Sequence, residues 1–105
     1  MNFPKDADGD VLRRLDESGL DFSRPQSVDF NVDFLSWPPS PEALEKLEAS
    51  FGPIEIYEPE DNYAGYVLLT ITEPLSYDFV VGIQDNVSKL MSEFGGVCES
   101  WGVLH

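Results

Sequence analysis

Positive charge is scarce in this sequence. Six Lys and Arg stand against twenty Asp and Glu among 105 residues, a formal net charge of −14, and the isoelectric point is near 4.1. Beyond Arg24 only Lys46 and Lys89 offset fourteen acids. Such a chain repels nucleic-acid phosphates and anionic lipid, and attracts basic proteins or divalent cations. The plainer reading is that the acidity serves solubility. Histidine is reduced to His105, the last residue, so the commonest general base has no pinned position. One cysteine, Cys98, excludes an internal disulfide and a cysteine-built zinc site, and fits a reducing cytosol. No apolar run approaches the ~20 residues that span a bilayer. The start "MNFPKDADGD" has no basic-then-apolar export signal, so a cytoplasmic protein off the membrane is expected. Phosphate-cradling glycine loops and a GxSxG elbow are also missing, and "EFGG" reads as a helix stop. With twenty acids, carboxylate pairs arise by chance. No catalytic residues, cofactor or metal site are assigned, and an enzyme is not expected.

What is present suffices for a core. Apolar residues make up 42% of the chain, with seven Phe, four Tyr and two Trp, which argues against disorder. The length fits one domain, residues 1–105, divided into an N-terminal helix and connector (1–25) and a core (26–105). Asp8 or Asp10 is positioned to cap a first helix with Val11, Leu12 and Leu15 on one face and Gly19 as its stop. "SVDFNVDFL" alternates, with Val28, Phe30, Val32 and Phe34 to one side and Asp29, Asn31 and Asp33 to the other, as a half-buried strand does. "SPEALEKLEASFG" reads as a helix capped by Ser40 with Pro41 in its first turn. "PIEIYEP" predicts a short strand with Ile54 and Ile56 inward, "EDNYAG" an acidic turn, and "YVLLTIT" the second strand of a hairpin. A helix capped by Ser76 carries Phe79, Val80, Ile83, Val87, Leu90, Met91 and Phe94 at helical spacing, and Gly95 and Gly96 end it. "VCESWGVL" closes as a strand with Val97, Trp101 and Val103 on one face.

The order after the first helix is β-α-β-β-α-β. It predicts an α+β, ferredoxin-like sandwich: a four-stranded antiparallel sheet with two helices on one face and an extra N-terminal helix. Whether that extra helix covers the open sheet face or packs at an edge stays open. Left open, the face presents Asp29, Asn31, Asp33, Glu55, Tyr57, Tyr66, Leu68, Thr70, Cys98 and Ser100, with no base among them. RNA laid there meets like charge. A basic protein segment meets opposite charge and aromatic surface, so Asp29, Asp33, Tyr57, Tyr66 and Leu68, with Glu60 and Asp61 of the acidic turn, form the candidate partner-binding set. The competing reading is that the first helix covers this face, in which case Leu68 and Tyr66 are core. Exposed edge strands leave a monomer or weak dimer.

Asp6, Asp8 and Asp10 alternate as in a calcium loop, with Glu17 at the twelfth position. Val11 occupies the place that demands glycine, and Arg13 and Arg14 stand at the eighth and ninth positions, the ninth a ligand position. Helix capping and surface charge explain the three aspartates better.

Two stretches resemble a known family. "FPKDADGDVLRRLDESGLDFSRPQSVDF" is similar to the N-terminal signature of the ribonuclease E inhibitor B (RraB)-like family, carried here by Asp8, Gly9, Asp10, Leu12, Leu15, Gly19, Asp21, Ser23 and Pro25. "EFGGVCESWGVL" resembles its closing segment through Gly95, Gly96, Trp101 and Gly102, although Glu99 and Ser100 precede Trp101 where the family usually has Tyr-Asp-Gly. The resemblance implies the same ferredoxin-like fold and a non-catalytic regulator that binds ribonuclease E by protein–protein contact and alters RNA decay. Composition allows two alternatives, an immunity-type protein that neutralises a basic toxin and a metal or small-molecule binder. Trp101 reads as core, and Cys98 as a passive strand residue.

Overall fold

The computed structural model describes residues 3–103; His105 lies outside them. Three helices and a four-stranded antiparallel sheet make an α+β fold. Helix α1 spans Ala7–Glu17, strand β1 Pro25–Phe34, helix α2 Pro41–Phe51, strand β2 Ile54–Tyr57, strand β3 Tyr66–Pro74, helix α3 Tyr77–Met91 and strand β4 Gly96–Val103, with a 3-10 turn over Ser92–Phe94. The strands lie in the order β2-β3-β1-β4.

Each helix starts where a short polar side chain satisfies a free backbone N–H. Ser40 Oγ accepts from Ala43 N at 3.2 Å and Ser76 Oγ from Phe79 N at 3.1 Å. The cap of α1 is Asp6, not Asp8 or Asp10, since its Oδ1 accepts from Gly9 N at 2.8 Å. Gly9 then fits because the chain doubles back on itself. A Cβ there would lie 1.8 Å from the Pro4 carbonyl oxygen. The connector is an Asx turn in which Asp21 Oδ1 accepts from the Ser23 amide at 2.9 Å and the Ser23 hydroxyl at 2.5 Å. These local bonds hold the Asp21 carboxyl below its ordinary range, the Ser23 hydroxyl contributing most.

The core lies between the helices and one sheet face. Val28, Phe30 and Val32 of β1, Val67 and Leu69 of β3, and Val80, Val87 and Met91 of α3 are fully buried. Phe30 meets Phe79 edge-on at 5.8 Å. Leu12 of α1 belongs to the same cluster with no exposed surface. Helix α1 therefore packs beside α3 in the helical layer and leaves the opposite sheet face uncovered.

Two sequence expectations fail at the sheet margins. Strict alternation places Val97 inward and Cys98 on the open face. The β1–β4 register instead shifts between Asn31 and Val32, pairing Asn31 with Ser100 but Val32 with Cys98, so Glu99 is the extra residue of a bulge. One extra residue reverses the facing of everything beyond it. Cys98 is buried, and Val97 pairs with Asp33 on the open face. Ile56 pairs with Val67, a core-facing residue, but is 46% exposed because β2 is the sheet edge and the helical layer does not cover it there.

Candidate functional site

The uncovered sheet face is built from cross-strand rows. Register places Tyr57, Tyr66, Asp33 and Val97 in one row across β2, β3, β1 and β4. Glu55, Leu68, Asn31 and Ser100 form the next, and Thr70 with Asp29 a third. Tyr57 and Tyr66 stack with ring centroids 4.8 Å apart and an interplanar angle of 11°. The Tyr57 hydroxyl donates to Glu55 Oε2 at 2.6 Å, and that carboxylate holds the phenol above its ordinary range. Thr70 Oγ1 donates to Asp29 Oδ1 at 2.7 Å. The face thus sets carboxylates and aromatic rings among Leu68, Val97 and small polar groups.

Its charge has one sign. No Lys or Arg occurs in any strand or in the loop between β2 and β3; all six lie on helices, on the approach to α1 or in the connector. Arg13, Arg24, Lys46 and Lys89 are already paired there with neighbouring acids, at 2.6 Å for Arg13 to Asp10 and 2.9 Å for Lys46 to Glu93 and for Lys89 to Asp85. No base reaches Asp29, Asp33, Glu55, Glu58, Glu60 or Asp61 among the described residues.

The loop between β2 and β3 is a structured turn. The Glu60 amide donates to the Tyr63 carbonyl at 3.0 Å and the Tyr63 amide to the Glu60 carbonyl at 2.6 Å. Asp61 adopts φ +42°, a left-handed conformation that Asp tolerates better than most residues. Trp37 fastens the turn from outside. Its Nε1 donates to Glu58 Oε2 at 2.9 Å, and its ring lies against Gly65, where a Cβ would stand 2.8 Å from the indole. The result is a groove of about 490 Å³ lined by Ile56, Tyr57, Glu58, Glu60, Tyr63, Ala64 and Tyr66.

The structure therefore brings Asp29, Asp33, Tyr57, Tyr66 and Leu68 onto one face and Glu60 into a groove beside Tyr57 and Tyr66. Asp61 sits at the turn and does not line the groove. Sequence reading missed Tyr63, Ile56 and the Trp37–Glu58 contact. Tyr63 is 78% exposed, and an aromatic inside a polar turn was the one signal available for it.

The motif residues have structural roles. Asp8 is not surface charge, because Trp101 Nε1 donates to its Oδ1 at 2.8 Å and Gln84 Nε2 to the same oxygen at 3.1 Å. The N-terminal motif and the closing Trp-Gly segment are thereby bonded to each other. Leu12 and Leu15 are buried, Pro25 opens β1, and Gly19 and Gly95 follow their helices at φ +91° and +73°. Gly96 is buried against Met91 and Phe34, whereas a side chain at Gly102 would meet nothing.

These two bonded segments bracket the region that the family model for "Regulator of ribonuclease activity B", RraB, matches, residues 5–103. The chain belongs to the RraB family. No curated protein matches it. RraB membership makes the protein a regulator of ribonuclease activity. In this RraB chain no group of three or more His, Cys, Asp or Glu is placed to hold a metal ion among the described residues, and no helix among them is long and apolar enough to cross a membrane. The Cys98 thiol is pushed up to about 12, chiefly by burial, so it is protonated and inert at neutral pH.

Proposed function

We propose that the protein regulates a ribonuclease, ribonuclease E in the family's case, by docking a basic segment of that enzyme on its open sheet face, without itself catalysing a reaction. The observation that carries this reading is a sheet that has no base and that α1 leaves uncovered. Carboxylates on Asp29, Asp33 and Glu55 attract a cationic partner at long range. Tyr57, Tyr66 and Leu68 then supply surface that desolvates on contact. The same face repels RNA, so regulation works through the enzyme and not its substrate. A single cysteine, with no partner for an internal disulfide, fits a reducing, cytoplasmic setting.

Titration of purified ribonuclease E with the chain tests this. Affinity is expected to fall as salt is raised, and Asp29→Lys combined with Asp33→Lys is expected to weaken binding by about tenfold or more at low salt. The pair Asp16→Lys and Glu17→Lys, exposed on α1 with the same charge change, is expected to do much less. Equal loss from both pairs, or no salt dependence, would count against the reading.

A further inference from the structure

Exposed apolar surface is concentrated in one place. Of the four large hydrophobic side chains standing out into solvent among the described residues, three, Ile56, Tyr57 and Tyr63, line the groove at the end of β2, and the fourth, Leu35, lies elsewhere. Two carboxylates, Glu58 and Glu60, share the groove with them. Glu58 uses only Oε2 for Trp37, and the Glu60 side chain makes no hydrogen bond or ion pair among the described residues. The floor is braced by contacts, since Tyr57 stacks on Tyr66 and Trp37 bonds to Glu58 in the turn.

We infer that this groove receives an arginine side chain of the basic partner segment, which deepens the docking reading above and rests on it. A guanidinium is planar and weakly hydrated, lies flat on an aromatic face and donates in-plane to carboxylate oxygens. Tyrosine rings beside two available carboxylates match each of those properties. A lysine ammonium is a compact, strongly hydrated charge and matches only the carboxylates. A second copy of this chain is a poor occupant, because each copy carries −14 and the face offers no base to meet the other's acids. A neutral apolar segment would bring Glu58 and Glu60 out of water without a counter-charge, at a desolvation cost.

The test uses the intact chain with an oligo-arginine peptide and an oligo-lysine peptide of equal length, followed by amide NMR. The arginine peptide is expected to bind about three- to tenfold tighter, with saturable shifts concentrated at residues 56–66. Tyr63→Ala is expected to abolish that preference and Tyr63→Phe, which keeps the ring, to retain it; Tyr63 is 78% exposed, so neither change threatens the fold. Equal affinity for the two peptides, shifts spread over acids elsewhere such as Asp16 and Glu42, or a concentration-dependent dimer that buries Tyr63 would each overturn the inference. Its failure is separable from that of the docking reading. Ribonuclease binding lost in the Asp29→Lys and Asp33→Lys variant but kept in Tyr63→Ala, with no preference for arginine, leaves docking intact and removes the groove. Preference for arginine at the groove with no ribonuclease binding does the reverse.

Discussion

Asp8 ties together residues at the two ends of the described chain. One oxygen accepts from Trp101 of β4 and Gln84 of α3, and Gln84 is itself 9% exposed and donates again to the Val80 carbonyl at 3.0 Å. Removing the acceptor leaves two donors without it, one of them on a buried side chain, which costs more than the lost bonds alone. Asp8→Ala is expected to lower unfolding free energy by about 1–3 kcal/mol and Trp101→Phe by less. In denaturant melts the double variant should be less destabilised than the sum of the two, because both remove the same bond; strict additivity would contradict the contact. Nothing near Asp8 in the sequence signals this role. Three alternating aspartates before a helix read as caps and surface charge, and their separation depends on partners 76 and 93 residues away.

Whole elements were legible where periodicity and caps agree. The alternation of β1 placed Val28, Phe30 and Val32 inward, and Ser40 and Ser76 marked the starts of α2 and α3. The facing of the first half of β4 was not legible, because the bulge at Glu99 carries no glycine or other local mark. The position of α1 was also hidden, since an amphipathic helix shows which face it buries and not against what. It is held in the helical layer by Leu12 and by the Tyr77 hydroxyl, which donates to Asp6 Oδ2 at 2.5 Å. That bond is the main reason the Asp6 carboxyl lies below its ordinary range; the Gly9 amide adds to it. A carboxyl depressed in the folded state contributes its full stabilisation above the unfolded pKa of about 3.9 and loses it as pH falls through the lower folded value. Tyr77→Phe should move the Asp6 carboxyl, followed by NMR, back toward the ordinary range and make acid unfolding begin at higher pH. An unchanged Asp6 titration would show that the bond does not anchor α1.

Over the whole molecule, charge and layering coincide. Every base sits on the helical side or its connections, and the sheet keeps only acids, with rings and small polar groups between them. Net charge alone, visible in the composition, suggested a basic partner; only the placement of α1 shows that a sheet face is left uncovered. The family assignment supplies the ribonuclease, and under the docking proposal the sheet face is the means of contact. The most direct test is chemical-shift and cross-saturation mapping of the chain bound to ribonuclease E. The largest effects are expected on Asp29, Asn31, Asp33, Tyr66 and Leu68. Effects centred instead on the exposed acids of α2 and α3, such as Glu45, Glu48 and Asp85, with the sheet unperturbed, would contradict it.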